Sequence, residues 1–328
     1  MKELCIRTNE AGQRLDKFLG KYMNQAPKSF LYKMMRKKNI ILNGKKASGT
    51  EMLSEGDVVK LFLSEETIGK FSRMPESTAV KAAMEQYTKL DILYEDEHAL
   101  FINKPAGMLS QKASPKDVSL VEYLTAYLLT EGKITEEELK TFHPSVCNRL
   151  DRNTSGIVVA GKSLAALQEL TAMFRERTIK KYYLCLVKGI VTEEKKISGY
   201  LVKNEKANTV SVHGKDNGGA ARIETEYCPL SSGDGFTLLE VHLITGKTHQ
   251  IRAHLASQGH PIAGDPKYGD RTVNEWLRKK YGLKIQLLHA AKLCMPECDG
   301  ALSALSHKEI TAPVPALFQT ICTDKGVM

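Results

Sequence analysis

The amino-acid sequence predicts an α+β fold divided into two domains. After residue 90, segments with strand character outnumber those with helical character. Hairpin-like spacing through residues 196–243 favours an antiparallel or mixed sheet over repeated βαβ units. A separate helix–helix–strand–turn–strand pattern occupies the first 65 residues. With 328 residues, of which 42% are hydrophobic, the chain is long enough to bury two cores.

The N-terminal unit, residues 1–65, is predicted to be a small α+β domain. Apolar residues recur at helical spacing over residues 13–24, namely Leu15, Phe18, Leu19 and Tyr22. Pro27 can begin a second helix because its missing N–H is not needed in the first turn. A strand over residues 40–42, the Asn43-Gly44 turn and a strand near residues 58–63 complete the unit.

Positive charge is concentrated in this unit. The formal net charge of the whole chain is +9, and the segment from Lys17 to Thr50 holds nine basic residues and no Asp or Glu. A solvated surface normally mixes both signs, so a single-sign stretch points to a polyanion, above all a nucleic acid. The candidate RNA-binding residues are Lys28, Lys33, Arg36, Lys37, Lys38 and Lys45.

Residues 66–88 mix charges with Gly, Pro and Ser and show no apolar period, which predicts a linker. Residues 89–328 form the predicted second domain, with a central antiparallel or mixed sheet. Its predicted strands are 91–94, 99–102, 156–160, 182–188, 198–203, 209–212, 221–228, 236–243, 287–295 and 305–310. Its predicted helices are 119–129, 163–176, 248–257, 273–281 and 314–322.

The most informative segment of this domain is the polar run of residues 148–156, which directly precedes the apolar residues 157–160. It places Arg149 and Asp151 on a loop held by a buried strand. The two side chains are either a reactive pair or a structural ion pair that caps the strand. Spacing alone does not decide between these two interpretations.

Residues 156–163 also satisfy the phosphate-binding P-loop pattern. A P-loop needs a strand before its first Gly and a flexible loop between its glycines. Here the four intervening residues are themselves the predicted strand, and Ser163 is predicted to cap the next helix. We therefore do not expect a nucleotide hydrolase.

No metal site is expected. His249, His254 and His260 lie at a spacing that straddles a helix and a loop, and Cys294 and Cys298 with the nearby His289 lack a clear fourth ligand. The seven cysteines are odd in number and form no C-x-x-C pair, as in free thiols of a reducing compartment. No apolar run approaches the roughly 20 residues that span a bilayer, and the first residues lack the apolar core of a signal peptide. We expect a cytoplasmic protein with no membrane association.

Several ordered blocks resemble one known family. Residues 148–156 resemble the H-R-L-D-x-x-T-S-G signature of the RluA-like pseudouridine synthases, with Asn148 in place of the usual His. Residues 103–108 are similar to the K-P-x-G turn of this family, residues 180–184 to its tyrosine segment, and residues 245–255 to its T-G-R-T-H-Q-I-R-x-H block, with Lys247 where Arg is common. Residues 259–269 continue the match. The N-terminal unit resembles an S4 RNA-binding domain, whose opening pattern matches residues 14–17.

This resemblance implies an RNA pseudouridine synthase with an active cleft across its sheet. Asp151 would be the catalytic carboxylate, as nucleophile or as base on the ribose; Arg252 would hold it ionised, and Tyr183 would stack on the flipped uracil. Arg149, His249, Gln250 and Lys104 are the expected substrate-binding residues, with Arg149 filling the gap left by the base.

The isomerisation needs no cofactor and no obligatory protein partner. Family analogy favours large-subunit (23S) ribosomal RNA as the substrate. The alternative is a catalytically silent ribosome-assembly or RNA-binding factor of the same fold, against which the set of Asp151, Tyr183 and Arg252 argues.

Overall fold

The computed structural model describes residues 1–72, 80, 83, 90–216 and 218–328. The N-terminal unit contains a four-stranded antiparallel sheet in the order β1-β4-β2-β3. Its strands are β1 Lys2–Cys5, β2 Ile40–Leu42, β3 Lys45–Lys46 and β4 Val58–Leu61. Asn43 and Gly44 both have positive φ, as the tight hairpin turn between β2 and β3 requires. Helices α1 Leu15–Tyr22 and α2 Lys28–Arg36 bury the predicted apolar face against this sheet.

A third helix, α3 Glu65–Phe71, lies in the segment that the sequence predicted as a linker. Ser64 caps it by accepting a hydrogen bond from the Thr67 amide, and Ile68 is buried in the N-terminal core. The Phe71 ring lies 4.8 Å from that of Phe30. The linker prediction is therefore wrong at its start, because a seven-residue helix is too short for its period to stand out. Most of the remaining predicted linker (73–79, 81–82 and 84–88) lies outside the described residues.

The second domain is built on one mixed sheet with the order β11-β10-β12-β13-β9-β14-β8-β6-β5. Two short strands extend it, β7 on β8 and β15 on β14. All the pairs are antiparallel except β14 with β8. The strands are β5 Ile92–Glu95, β6 Ala99–Lys104, β7 Ser145–Val146, β8 Ser155–Gly161, β9 Lys180–Lys188, β10 Lys195–Asn204, β11 Thr209–His213, β12 Ala221–Gly233, β13 Phe236–Leu243, β14 Leu288–Cys294 and β15 Glu309–Thr311.

Helices cover both faces of this sheet. They are α4 Leu120–Thr130, α5 Leu164–Glu176, α6 Gln250–Ser257, α7 Arg271–Tyr281 and α8 Ala316–Asp324. Along β8, Val158 and Ala160 belong to one core cluster while Ile157 and Val159 belong to another, so this strand is buried on both sides. The predicted α+β fold with a mixed sheet is confirmed. The strand predicted over residues 305–310 is wrong in part, since Gly300–Leu305 forms a 3₁₀ helix.

The P-loop pattern has a purely structural origin. Residues 156–161 pair in register with β6, so no loop is left between the two glycines to wrap a phosphate. Ser163 caps α5 by accepting a hydrogen bond from the Ala166 amide, as predicted. In the part of the chain that the structure describes, no helix is long and apolar enough to cross a bilayer.

Gly156 should tolerate no side chain. Its φ is +109°, and a Cβ atom there would overlap the backbone of Ala290 on the neighbouring β14. We expect Gly156→Ala to lower the free energy of unfolding by about 3 kcal/mol or more, because both backbone strain and a rigid clash must be accommodated. Chemical denaturation measures this change. Gly246→Ala, a position with no atom within 4 Å of an added Cβ, is the matched control and should change stability little.

Candidate active site

Asp151 lies on the loop between β7 and β8, and that loop is fixed from several sides. The Ser110 hydroxyl bonds both the amide and the carbonyl of Leu150, each at 3.0 Å. The Arg152 carbonyl accepts from the Gly107 amide at 2.8 Å. The backbone on either side of Asp151 is thus anchored to the turn that follows β6, which limits the positions the carboxylate can take.

Lys104 is the inner anchor of this loop rather than a residue of the cleft wall. Its side chain is fully buried, and its ammonium donates to the carbonyls of Pro105, Met108 and Arg152 at 2.8–3.1 Å. Burial lowers the pKa of Lys104 to about 7, although the Asp151 charge raises it in part. With three protons on three protein carbonyls, Lys104 has no donor left for substrate. The structure corrects the expected substrate-binding role to a positioning one.

Asn148 joins the loop to β8. Its side-chain amide donates to the Ile157 carbonyl at 3.2 Å, and its oxygen accepts from the Val159 amide at 2.8 Å. The amide therefore pairs with the strand as a backbone peptide would. This explains how a residue other than the usual His can hold the start of the loop.

Arg252 links two carboxylates. From α6, its Nη1 donates to Asp151 Oδ2 at 2.8 Å, while its Nε and Nη2 form a two-point pair with Asp265 at 2.7 and 2.9 Å. Asp265 is 1% exposed and also accepts from the amides of Lys267 and Tyr268. The predicted contact between Arg252 and Asp151 is present. Sequence reasoning missed Asp265, although it lies within residues 259–269, which continue the family match.

The electrostatics of the Asp265–Arg252 pair favour the charged form of both side chains. Burial alone would raise the pKa of Asp265, but the Arg252 guanidinium outweighs it and holds that pKa below its usual value. Burial alone would lower the pKa of Arg252, and the two carboxylates raise it instead. Asp265 fixes two guanidinium nitrogens, so the third is directed at Asp151.

His249 lines the cleft beside Arg252, and Tyr268 contacts both of these residues. His249 Nδ1 lies 2.9 Å from the Tyr268 hydroxyl, and its Nε2 lies 3.9 Å from Asp151 Oδ2. Burial lowers the pKa of His249, a shift that Asp151 opposes. The Tyr268 ring centroid lies 5.2 Å from Arg252 Cζ. A neutral His249 on the cleft is available to hydrogen-bond a substrate.

Tyr183 faces the cleft from β9, whereas Tyr182 faces away from it. Tyr183 is 6% exposed, and burial raises its pKa, with Asp151 adding to the effect, so the phenol stays protonated near neutral pH. Tyr182 stacks on His242 with ring centroids 4.9 Å apart. Strand alternation predicted that only one of the two tyrosines faces the cleft, and the structure confirms this.

Gln250 has no free hydrogen-bonding group. Its oxygen accepts from Thr245 Oγ1 and the Lys247 amide, and its nitrogen donates to the Glu224 carbonyl and Thr225 Oγ1. The side chain is 2% exposed. The expected substrate-binding role is corrected, since Gln250 instead ties the start of α6 to β12 and so sets the position of Arg252.

Asp151 and Tyr183 open onto one cleft of about 780 Å³. Arg149 lines it, is exposed, and makes no ion pair with any described residue. The alternative of a structural Arg149–Asp151 pair is not what the structure shows, because Asp151 pairs with Arg252. Arg149 is therefore free to contact substrate. Its predicted role in filling the space of a flipped base remains a prediction.

His254 and His260 bond protein groups, Thr225 Oγ1 and the Lys188 carbonyl respectively. Burial lowers the pKa of His254 to about 4, despite a backbone hydrogen bond at Ser198 that raises it. Between pH 4 and 6.5 the unfolded chain therefore binds a proton that the folded chain does not, so stability rises with pH through this window. When the pH falls from 6.5 to 4.5, the lowered pKa of His254 should reduce the free energy of unfolding by about 1–2 kcal/mol. Denaturant titrations should show a flatter profile in His254→Gln, and identical profiles would contradict the assignment.

Comparison with known proteins agrees with this geometry. The family model for RNA pseudouridylate synthases matches residues 98–257, which include Asp151, Tyr183 and Arg252. Fold and site thus define an RNA-modifying isomerase. Two solved human structures share the fold, RNA Pseudouridylate Synthase Domain Containing 4 (TM-score 0.57, 23% identity, 75% of this chain and 95% of that chain) and Domain Containing 1 (0.51, 22%, 73% and 96%).

Curated relatives match nearly the whole length. Ribosomal large subunit pseudouridine synthase C of Vibrio vulnificus (strain CMCP6) is 36% identical over 291 residues, 88% of this chain and 86% of the relative. The protein of the same name from Escherichia coli (strain K12) is 34% identical over 302 residues, 89% of this chain and 88% of the relative. This chain belongs to the RNA pseudouridylate synthase family, which confirms the predicted RluA-like pseudouridine synthase.

Proposed function

We propose that this enzyme isomerises uridines of large-subunit (23S) ribosomal RNA and that Asp151 is its catalytic carboxylate. One observation carries the proposal: the Asp151 carboxylate, bound by the buried Arg252, opens onto the same cleft as Tyr183. The ribosomal substrate is supported by relatives at 34–36% identity that carry it in their names.

The reaction is an isomerisation in which atoms balance within the nucleotide. The N1–C1′ bond of uridine breaks, the detached uracil rotates, and a C5–C1′ bond forms. C5 then loses its proton and N1 gains one. Asp151 either attacks the sugar or removes a ribose proton, and both routes require the ionised carboxylate that Arg252 holds. No step requires a redox group or an external energy source.

Tyr183 would bind the flipped base, and Arg149 would bind the RNA at the gap that the base leaves. The Tyr183 ring lines the floor of the cleft, where a uracil can stack on it, and its phenol can assist the proton transfer from C5. The exposed Arg149 guanidinium can occupy the gap in the RNA while contacting phosphate. Closure around the base would keep the detached uracil from escaping.

Tritium release from unmodified large-subunit rRNA transcript labelled at uridine C5 tests the proposal directly, because the C5 hydrogen leaves only when the new bond forms. We expect release with no cofactor added. A protein that binds this transcript but never releases tritium would fit the catalytically silent assembly factor instead. The hydrogen bonds that lead from the buried Asp265 through Arg252 to Asp151 argue against that alternative, since a binding protein has no need of a carboxylate held in an open cleft.

The N-terminal unit is proposed to act as an S4-like RNA-binding module. Six basic side chains of α2, the turn after it and β3 are exposed and make no ion pair with a described residue; they are Lys28, Lys33, Arg36, Lys37, Lys38 and Lys45. If five of them neutralise phosphates, the logarithm of affinity should fall against log salt with a slope of about −3 to −4 for loop RNA. Deleting residues 1–72 should flatten that slope and raise KM more than it lowers kcat. Equal salt slopes for the full-length protein and the protein without residues 1–72 would show that the basic segment does not bind the RNA.

A cytosolic site of action follows from this proposal. Ribosomal RNA is made in the cytosol of bacteria such as those that carry the relatives, and all seven cysteines are free thiols in the structure. Structured RNA is the one partner that the proposal requires.

A further inference from the structure

The cleft contains more positive charge than the catalytic groups account for. Among the described residues that line it are six Lys and Arg side chains but a single acidic one, Asp151. Arg149 and Arg252 belong to the site already described. The other four basic residues are Arg175, Arg177, Lys181 and Lys247.

Lys181 lacks the partner that a buried cation normally has. It lies on β9 two residues before Tyr183, lines the same cleft, and is only 8% exposed. No described residue forms an ion pair or a hydrogen bond with its ammonium. Burial lowers the pKa of Lys181, and the neighbouring Arg177 lowers it further. A largely buried ammonium beside a second cation is unfavourable by itself, so this position is suited to an external anion.

Arg177 is held in an unusual backbone conformation directly beyond α5. Its φ of 65° and ψ of 26° are left-handed, and its amide donates to the Met173 carbonyl. Glycine is the usual residue there, and a side chain adds strain. The exposed guanidinium has no ion pair with a described residue, whereas Arg175 pairs with Glu176. The C-terminus of α5 contributes only about half a negative charge, less than the two full charges of Arg177 and Lys181.

We propose that Arg177 and Lys181 bind a backbone phosphate of the RNA strand beside the flipped uridine. Residues two apart on a strand are about 6.6 Å from each other, which places Lys181 next to the base-stacking face of Tyr183. A guanidinium and an ammonium together bind phosphate oxygens through charge-assisted hydrogen bonds. The inference rests on the proposed function, since it assigns a strand to the cleft where the uridine enters.

The test uses two substitutions that should not harm folding. Arg177→Gly places the preferred residue in a left-handed position, and Lys181→Met removes an uncompensated buried charge, so thermal stability should stay unchanged or rise. Each should weaken binding of unmodified large-subunit rRNA transcript about tenfold and make the salt slope shallower by ~0.7. The KM for tritium release should rise by a similar factor, with a smaller effect on kcat at saturating transcript.

Two control variants separate the contact from its side effects. His307→Gly relaxes another left-handed residue, with φ 57°, outside the cleft lining. Lys279→Met removes an exposed cation that pairs with Glu275 on α7. Both should bind RNA as the wild type does. A loss of affinity in Lys279→Met equal to that in Lys181→Met would show a general charge effect and overturn the proposal.

Other results would overturn it as well. A fall in kcat with unchanged affinity would mean that Lys181 acts on Tyr183 rather than on phosphate. Heat stabilisation of the wild type by inorganic phosphate, beyond KCl of equal ionic strength and without any affinity change in the variants, would assign the cluster to a free anion. A wild type that binds transcript but releases no tritium would defeat the proposed function, while the binding data would still decide the phosphate contact.

Discussion

Asp151→Asn is expected to reduce tritium release by at least about 10³-fold, roughly 4 kcal/mol in activation free energy, while the protein still folds and binds RNA. The substitution keeps the volume of the side chain but removes the charged oxygen that we propose acts on the sugar. Folding should survive because Arg252 keeps its two-point pair with Asp265, so no buried charge is left without a partner.

Single-turnover release measured at saturating transcript gives the chemical step, and thermal unfolding with a binding assay checks the rest. Asp234→Asn, at an exposed carboxylate paired with Lys325, is the control and should keep full activity. Turnover within about tenfold of the wild type, or ~1.4 kcal/mol, would mean that another group performs the reaction.

Asp265→Asn should produce the largest loss of stability at the site, about 3 kcal/mol in the free energy of unfolding. The amide oxygen can still accept from the backbone of Lys267 and Tyr268, but the NH₂ group would then face the Nε donor of the buried Arg252. Catalysis should weaken too, because Asp265 directs the guanidinium toward Asp151. Denaturant titration and tritium release measure the two effects.

The double variant Arg252→Met with Asp265→Asn, compared with the two single variants, measures the interaction energy between these two side chains. Once the guanidinium is gone, the amide introduced at position 265 faces no competing donor. The double variant should therefore lose less free energy of unfolding than the two single variants lose together, by about 1.5 kcal/mol or more.

The pH dependence of stability adds a second measurement. The depressed pKa of Asp265 contributes stability above its unfolded value near 4, and this contribution is lost as the pH falls through the folded value. Asp265→Asn should make the free energy of unfolding depend less on pH in this acidic range. If the effects of Arg252→Met and Asp265→Asn on the free energy of unfolding simply added, the proposed interaction between the two side chains would be contradicted.

The sequence predicted most of the elements because their patterns are local. The alternation along β9 separated Tyr183 from Tyr182, and the apolar spacing of α1 located its buried face. The role of Lys104 could not be read in this way, since it depends on carbonyls up to 48 positions away in the chain. A Lys at the end of a strand, beside the loop that carries Asp151, suggests an anion contact, and only the fold shows that its ammonium points inward.

The saturation of Gln250 and the part played by Asp265 were hidden for the same reason. Both belong to networks that tie α6 to segments outside the helix. The mutual need of buried polar groups for partners is a property of the packed state, so residue type alone does not reveal which donors remain free. Asn148 was partly predictable. The sequence showed that it departs from the family pattern, but not that its side chain pairs with β8 in a way that compensates for the missing His.

The position of β14 in the sheet makes a late part of the chain necessary for assembling the active cleft. This strand pairs with β9 on one side and β8 on the other, so it joins the half of the sheet that carries Tyr183 to the half that follows Asp151. It is also among the last strands to leave the ribosome. A nascent chain that ends before Leu288 lacks the element that holds the two halves together, and the long sequence separation of these pairings favours slow, late assembly. A translation product that ends before Leu288 should therefore be inactive.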